Sequence, residues 1–181
     1  EESALLSSLE GERGFPRLKP PFPAVSGLYA CPTVINNVET LATLPPIFRM
    51  GVEEYAKLGT DKSKGTRMVS LSGHVNNPSN FEIELGKVNF KQLIEEFGGG
   101  MRGGKKCKAI IPGGASAPWL TMEQHGEVTL DFEAIAAAKS MAGSGAIVVM
   151  DEDTCAVGAA LNLVEFFHEE SCGKCSPCRE G

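Results

Sequence analysis

The chain has 181 residues, of which 42% are hydrophobic, and it carries a formal net charge of −6. This composition predicts a globular protein with one substantial core or two small ones, and the negative charge argues against a nucleic-acid partner. No run of about 18 apolar residues is present, and residues 1–30 lack the pattern of a secretory signal. We therefore expect a soluble, intracellular protein.

The first 64 residues begin with a helical pattern that Gly11 is expected to stop. Residues 12–33 contain five prolines and two glycines, a composition that favours a rigid extended segment. In the next stretch, "VINNVETLATLPPIFRMGVEEYAKLG", apolar residues recur at helical spacing. Because Pro45 and Pro46 interrupt that spacing, we expect two short helices that are separated at the prolines.

From about Gly65 the pattern becomes that of a mixed sheet. Alternating residues on both sides of "NPSN" predict a β-hairpin over residues 66–85. Asn89 and Gln92 predict a capping box at the start of the helix "FKQLIEEF", and Asp131 predicts the cap of a second helix, "FEAIAAAKSMA". Two further strands are predicted in "CKAIIPGG" and "AIVVM". The order of these elements indicates a small α+β, ubiquitin-like sheet.

A third unit is predicted from residue 152, where Thr154 is expected to cap an amphipathic helix that runs to Phe167. This helix leads into "SCGKCSPC", close to the end of the sequence. The sequence begins without an initiator Met and ends inside this cysteine motif, so we expect it to be part of a longer protein.

Three cysteines, spaced at i, i+3 and i+6, are the candidate metal ligands of the chain: Cys172, Cys175 and Cys178. Three thiolates in one loop favour an iron–sulfur cluster, since each can bind a separate corner of the cluster. Tetrahedral zinc is the first alternative, although its ligands usually come as two pairs that are far apart in the sequence. Inert thiols are the second alternative. A fourth cluster ligand is expected beyond residue 181.

Two long stretches carry a resemblance to a known family. "EESALLSSLEGERGFPRLKPPFPAVSGLYACPTVINNVETLA" and "ESCGKCSPCREG" resemble the flavin-bearing, NADH-oxidising subunits of respiratory complex I and their relatives in NAD-linked hydrogenases and formate dehydrogenases. The resemblance spans the whole chain. It implies the end of a Rossmann-like FMN- and NADH-binding domain at residues 1–64, a ubiquitin-like SLBB domain of the β-grasp fold at 65–151, and the start of a helical [4Fe–4S]-binding domain at 152–181.

The resemblance also implies roles for individual residues. Glu1 and Glu2 match an acidic pair beside the flavin and the nicotinamide, and Phe22 matches a ring that stacks on the adenine of NADH. By themselves, these residues would be read as a solvated helix start and a core phenylalanine. Contacts to the FMN ribityl chain and phosphate are implied for Ile35, Asn36, Asn37 and Thr40. Ligands of the [4Fe–4S] cluster are implied at Cys172, Cys175 and Cys178.

The function that the resemblance implies is that of an electron-entry subunit in an NADH:quinone oxidoreductase. Hydride from NADH would be accepted on FMN, and single electrons would pass to the [4Fe–4S] cluster and on to partner subunits. The implied partners are the thioredoxin-like [2Fe–2S] subunit and the large iron–sulfur subunit of the peripheral arm, so that contact with the membrane is indirect. The implied location is the cytoplasmic side of the bacterial inner membrane, or the matrix side in a mitochondrion.

Two alternatives to this function stay open. The first is the equivalent diaphorase subunit of a soluble NAD(P)-linked hydrogenase or formate dehydrogenase. The second belongs to a different class, a non-enzymatic docking module whose helical end is held together by zinc. Bound flavin and a response to NADH would distinguish the second alternative from both enzymes.

Overall fold

The computed structural model describes residues 2–180, which form two compact units. One unit comprises the described parts of Glu1–Ala42 and Ala160–Gly181, and the other comprises Thr43–Ala159. The first unit begins with helix α1 (Glu2–Leu9), which ends shortly before Gly11. Gly11 has a φ of +84°, a conformation that favours glycine, and the predicted end of this helix is therefore confirmed.

The proline-rich segment after α1 is irregular, apart from a short 3₁₀ turn at Leu28–Ala30. Two helices follow, α2 (Val38–Met50) and α3 (Val52–Tyr55). The predicted break at the prolines was wrong, because α2 continues through both of them and the break falls at Gly51.

A physical reason for the uninterrupted helix lies in its exposure. Pro45 and Pro46 have no N–H group, so the carbonyl groups of Leu41 and Ala42 lose their helical donors. Both of these residues are exposed, and water can replace the missing donors at their carbonyl oxygens. The chain turns instead at Gly51, whose φ of +90° is costly for any other residue.

The second unit is organised around a five-stranded sheet with the strand order β2-β1-β5-β3-β4. Its strands are β1 (Thr66–Gly73), β2 (Ser79–Glu84), β3 (Cys107–Ile111), β4 (Leu120–Thr121) and β5 (Ala146–Asp151). The central strands β1 and β5 run parallel, whereas every other neighbouring pair is antiparallel. This order is that of a β-grasp sheet, and the predicted hairpin is its β1–β2 pair.

The predicted capping box opens the main helical segment of this unit. The side chain of Asn89 accepts the N–H of Gln92 at 2.8 Å, and the side chain of Gln92 accepts the N–H of Asn89 at 3.2 Å. Helix α4 (Phe90–Gln92) continues as one π-helical turn over Leu93–Phe97. The predicted helix therefore has the expected bounds, but its second half is π-helical rather than α-helical.

Two further short helices pack near the sheet, α5 (Met122–His125) and α6 (Phe132–Ala137). Asp131 caps α6 as predicted, because its Oδ1 accepts the N–H of Ala134 at 2.7 Å. The helix ends earlier than the expected Ala142, since Lys139 has a φ of +61° that turns the chain. Strand β4 and helix α5 were not predicted.

The core of this unit lies between the sheet and these helices. Its largest fully buried side chains come from every layer: Phe90, Leu93, Val75, Ile110, Ile135, Ile147 and Val149. The cluster to which they belong is apolar throughout. The second unit therefore has a hydrophobic core made of its own residues.

The last two helices are α7 (Ala156–Glu169) and α8 (Ser176–Glu180). The cap predicted at Thr154 was wrong by one residue. Cys155 precedes the first helical residue, and its Sγ accepts the N–H of Gly158 at 3.4 Å. The hydroxyl of Thr154 donates instead to Oδ1 of Asp151 at 2.9 Å, which explains why it does not cap the helix.

Candidate cofactor and cluster site

Arg17 holds the proline-rich segment against α1. Its backbone N–H donates to the Ser3 hydroxyl at 3.0 Å, and its Nε donates to the Ser7 hydroxyl at 3.0 Å. The two other guanidinium nitrogens donate to Glu10 at 2.6 Å and to the carbonyl of Gly27 at 3.2 Å. Sequence reasoning missed this residue. The buried serines at i and i+4 of α1, where an apolar pair would be usual, are the signal that could have indicated it.

Of the predicted acidic pair, Glu1 lies outside the described residues and Glu2 is the first residue of α1. The carboxylate of Glu2 forms an ion pair with Lys19 at 2.6 Å. The hydrogen bond from Lys19 is the main reason why the pKa of Glu2 falls to about 2. Glu2 is therefore ionised at neutral pH, and Lys19 compensates its charge.

The predicted adenine-stacking residue, Phe22, is 59% exposed. Its carbonyl oxygen accepts the N–H groups of Val25 and Ser26 at 2.8 and 3.0 Å, which fixes the backbone at the start of a turn. The reading of Phe22 as a core residue was wrong. Its ring is accessible to a flat partner.

The four predicted FMN-contacting residues lie together at the start of α2. Ile35 is half-buried, whereas Asn36, Asn37 and Thr40 are exposed. Asn37 caps α2, because its Oδ1 accepts the N–H of Thr40 at 3.2 Å. This use of the oxygen leaves the NH₂ group of Asn37 as the donor for a ligand.

A shallow pocket of about 480 Å³ lies beside Arg17 in the same unit. It is lined by Glu10, Glu12, Arg17, Ser26, Gly27, Tyr29 and Ala30. None of the residues predicted to contact a cofactor is in this set. Gly27 is fixed by close packing, since a Cβ atom there would lie 2.4 Å from the side chain of Thr33.

The three cysteines of the terminal loop are exposed, and none forms a disulfide. Cys175 directly precedes α8, and its carbonyl accepts the N–H groups of Cys178 at 3.1 Å and of Arg179 at 3.0 Å. Cys175 and Cys178 are therefore one helical turn apart. Cys172 lies three residues before Cys175 on the same loop.

The arrangement of these thiols bears on the kind of metal group that they fit. Within residues 2–180, no three His, Cys, Asp or Glu side chains converge as the ligands of one metal ion. Three soft thiolates in one loop suit an iron–sulfur cluster, in which each binds a different iron atom. Zinc also binds thiolates, but its ligands usually come as two pairs that are far apart in the sequence.

Three polar contacts, made by Ser171 and Lys174, fix this loop, which we call the cluster loop (residues 171–178). The hydroxyl of Ser171 lies 2.8 Å from the Sγ of Cys178 and accepts the N–H of Gly173 at 3.1 Å. The ammonium group of Lys174 donates to the carbonyl of Pro16 and lies 5.8 Å from the centre of the Phe15 ring.

The contact at Pro16 connects the cluster loop to the segment that also holds Glu2. Pro16 and Lys19 are three residues apart, so at most about 11 Å of extended backbone separates them. One contacts the cluster loop and the other forms the ion pair with Glu2. The same short segment thus contacts Lys174 of the loop that carries the predicted cluster ligands and, at Lys19, the predicted flavin-side carboxylate of Glu2.

The remaining cysteines have no matching role in a metal site. Cys31 and Cys155 are exposed, and Cys107 is half-buried at the start of β3. Burial raises the pKa of the Cys107 thiol to about 11, so this thiol is protonated and unreactive at neutral pH.

Comparison with known protein families gives two matches. Residues 67–149 match the SLBB domain, which corresponds to the β-grasp sheet. Residues 158–181 match the NADH-ubiquinone oxidoreductase-F iron–sulfur binding region, which contains the three cysteines of the cluster loop. The α+β fold with an SLBB domain and an iron–sulfur region is thereby confirmed. Among residues 2–180, no helix has the length and apolar character needed to cross a membrane.

Known proteins are similar to this chain over nearly its whole length. An F subunit of the NADH-quinone oxidoreductase of Rhizobium meliloti is 54% identical over all 181 residues, which are 42% of its length. The F subunit of the same enzyme in Streptomyces coelicolor is 52% identical over the whole chain, which is 40% of its length. The chain thus spans about two fifths of these curated relatives. One chain of a solved NAD⁺-reducing [NiFe]-hydrogenase is also similar. The match covers 99% of the present chain and 30% of the hydrogenase chain, with 34% identity and a TM-score of 0.86. Residues 1–181 are therefore similar, over their whole length, to about two fifths of the length of these NADH-quinone oxidoreductase F subunits.

Proposed function

We propose that this chain is part of the subunit through which electrons from NADH enter an NADH:quinone oxidoreductase. The observation that carries this proposal is the short segment from Pro16 to Lys19, which contacts the cluster loop at one end and Glu2 at the other. Electron transfer between a flavin and a cluster needs both to be held at a fixed separation, and in this proposal the segment would contribute to that. The 54% identity to an NADH-quinone oxidoreductase of Rhizobium meliloti, in its F chain, supports the same function.

Each predicted site residue has a role in this proposal. Glu1 and Glu2 would orient the flavin and nicotinamide, with Glu2 kept ionised by Lys19. Phe22 would stack on the adenine of NADH through its exposed ring. Polar contacts to the ribityl chain and phosphate of FMN would come from Ile35, Asn36, Asn37 and Thr40. The cluster would be held by Cys172, Cys175 and Cys178.

FMN, when bound, takes up an electron pair as hydride from NADH and releases single electrons, and a [4Fe–4S] cluster carries one electron at a time. The chain's own residues bind and orient these groups. No side chain is required as a general acid or base. In this proposal residues 1–64 complete a Rossmann-like FMN domain, residues 65–151 form the SLBB domain, and residues 152–181 begin the cluster domain.

The partners in this proposal are other subunits of the peripheral arm, in particular a thioredoxin-like [2Fe–2S] subunit and the large iron–sulfur subunit. The protein would be peripheral, on the cytoplasmic side of a bacterial inner membrane or the matrix side of a mitochondrion. A second candidate is the diaphorase subunit of an NAD-linked hydrogenase, which the structural match to the NAD⁺-reducing hydrogenase favours. Identity is lower in that match, 34% against 54%, so we prefer the quinone-linked enzyme.

The test uses the full-length protein, purified without oxygen. Addition of NADH should bleach a flavin band in the visible spectrum, and low-temperature EPR should show a reduced [4Fe–4S] cluster. Cys175→Ser should abolish the EPR signal, because a hydroxyl is a poor substitute for a thiolate ligand. A colourless, zinc-containing protein that does not respond to NADH would contradict the proposal and support the docking module.

The matched control for this test is Cys155→Ser. Cys155 is also an exposed cysteine, but its sulfur caps α7, where a serine hydroxyl is equally suitable. This variant should therefore keep the flavin response and the EPR signal. Loss of the cluster in both variants would show that the signal depends on something other than the cluster loop.

A further inference from the structure

We propose that Ser171 is a positioning residue that raises the reduction potential of the [4Fe–4S] cluster by donating a hydrogen bond to the sulfur of Cys178. The inference rests on the proposed function, because it requires Cys178 to be a cluster ligand. It is carried by the 2.8 Å contact between the Ser171 hydroxyl and the Cys178 sulfur.

The direction of this hydrogen bond follows from the surroundings of Ser171. The serine oxygen already accepts the N–H of Gly173 at 3.1 Å, which occupies one of its lone pairs. A cysteine that binds iron is a thiolate and has no proton to donate. The proton between these two atoms must then belong to the serine hydroxyl, which donates to the sulfur.

Ser171 is held in place by the end of α7. The helix ends at Glu169, and Glu170 still donates its N–H to the carbonyl of Phe166 at 2.9 Å. Ser171 is half-buried, in contrast to residues 172–176 and Cys178, which are exposed. Ser171, the first residue of the cluster loop, therefore directly follows the last hydrogen-bonded residue of α7.

The two cations of the cluster loop region are engaged elsewhere. Lys174 donates to the carbonyl of Pro16, and Arg179 forms an ion pair with Glu180 at 2.8 Å. In the part of the chain that the structure describes, Ser171 is the one side chain in hydrogen-bond contact with a sulfur of the three cysteines. The described contacts of both cations are to other groups, so a Ser171 variant leaves both neighbouring charges in place.

The expected effect follows from charge. The reduced cluster carries one more negative charge than the oxidised cluster, and part of that charge lies on the ligand sulfurs. A donor aimed at one of these sulfurs stabilises the reduced form more strongly, which raises the potential. Removal of the hydroxyl should make the cluster harder to reduce.

The experiment is a potentiometric EPR titration of the full-length protein and three variants. Ser171→Ala should assemble a cluster that titrates at a more negative midpoint potential than the wild-type cluster. Ser171→Thr keeps a hydroxyl and should titrate near the wild-type potential. Ser176→Ala removes another exposed hydroxyl of the cluster loop, one without a described contact to a cysteine sulfur, and should also leave the potential unchanged.

A wild-type midpoint potential in Ser171→Ala would overturn the inference. If alanine prevents cluster assembly, proton electron–nuclear double resonance on the wild-type protein replaces the titration. It should detect an exchangeable proton near the cluster that is lost in D₂O and persists in Ser176→Ala, and its absence would also overturn the inference. Failure of the proposed function is distinguishable from both results, because the wild-type protein would then show no cluster signal at all.

Discussion

The sulfur of Cys155 caps helix α7, a position that Ser, Thr, Asp or Asn usually occupies. The thiol accepts the N–H of Gly158, and this contact gives an exposed cysteine a structural role without a metal. Thr154, the better capping residue by type, is directed to Asp151 instead. The choice between two neighbouring caps depends on the path of β5, which the sequence pattern does not contain.

Asp151 is the charged residue around which the end of β5 is organised. It is 6% exposed, and it accepts hydrogen bonds from Lys105 at 3.0 Å and from the hydroxyl of Thr154 at 2.9 Å. The Nδ1 atom of His74 lies 3.3 Å from Oδ1 of Asp151. The hydrogen bond from Lys105 is the main reason why the pKa of Asp151 falls to about 2, whereas burial acts in the opposite direction.

This lowered pKa predicts a pH-dependent contribution to stability. The folded-state pKa of Asp151 lies below its ordinary value of 3.8, so its contribution is complete above pH 4 and is lost as the pH falls through about 2. In a polypeptide of residues 43–159, Asp151→Asn should lower the melting temperature at pH 7. The difference from wild type should shrink as the pH approaches 2.

Thermal unfolding followed by circular dichroism between pH 2 and 7 measures this difference. Asp153→Asn is the matched control, because Asp153 shares Lys105 but is 70% exposed and should affect the melting temperature much less. A constant difference between wild type and Asp151→Asn over the whole pH range would contradict the prediction.

At the scale of elements, α2 shows that two consecutive prolines can lie inside a helix. The helix is exposed along much of its length, with Val38 80% and Phe48 84% accessible. Water can therefore reach the carbonyl groups that the prolines leave without donors. Such a helix is expected to be locally weak rather than broken.

This weakness predicts that alanine at one proline would strengthen α2. Pro45→Ala restores one backbone hydrogen bond and removes a ring clash, which favours the helix locally by about 3 kcal/mol. Amide hydrogen exchange in α2, followed by mass spectrometry, should become slower in this variant. Arg49→Ala is the control. It also introduces an alanine into α2 but leaves both prolines in place, so it should change the exchange rate little. Equal exchange rates in Pro45→Ala and wild type would show that the prolines do not limit the helix.

The predictable elements are those whose signals are local. The β-hairpin over residues 66–85, the capping box at Asn89 and the cap at Asp131 depend on residues that are close in sequence, and all three were predicted. Strand β4 has two residues, too few for an alternating pattern to be recognised. The site residues also differ in whether their signal is local in the sequence. The spacing of the cysteines indicated a cluster, whereas Arg17 and Ser171 became visible only through contacts that depend on the folded loops.

At the scale of the whole molecule, the second unit has the features of an independently folding domain. Its core is made of its own residues, and the parallel pairing of β1 with β5 joins the two halves of its sheet. It also includes residues before the sheet. Thr60 donates to Glu133 at 2.5 Å, Ser63 donates to the same carboxylate, and the N–H of Gly59 donates to Glu84 at 3.0 Å.

A polypeptide of residues 43–159 is therefore expected to fold alone, with one cooperative thermal transition. A polypeptide of residues 65–159 lacks the contacts to Glu133 and Glu84, and it should melt at a lower temperature. Calorimetry of both polypeptides tests this expectation. Adding Glu133→Gln to the longer polypeptide should move its melting temperature toward that of the shorter one. Equal melting temperatures for the two polypeptides would show that the domain begins at residue 65.

The contacts of the segment from Pro16 to Lys19 bear on which sequence changes it can accept, substitutions or changes in length. Arg17 and Lys19 both contact α1, and they are two positions apart in the chain. Replacing a residue in this segment removes one contact. Inserting or deleting a single residue between Pro16 and Lys19 would shift Lys19 along the chain by up to about 3.6 Å and would separate it from Glu2 while Pro16 stays with Lys174. The segment can therefore tolerate changes in its residues more readily than changes in its length.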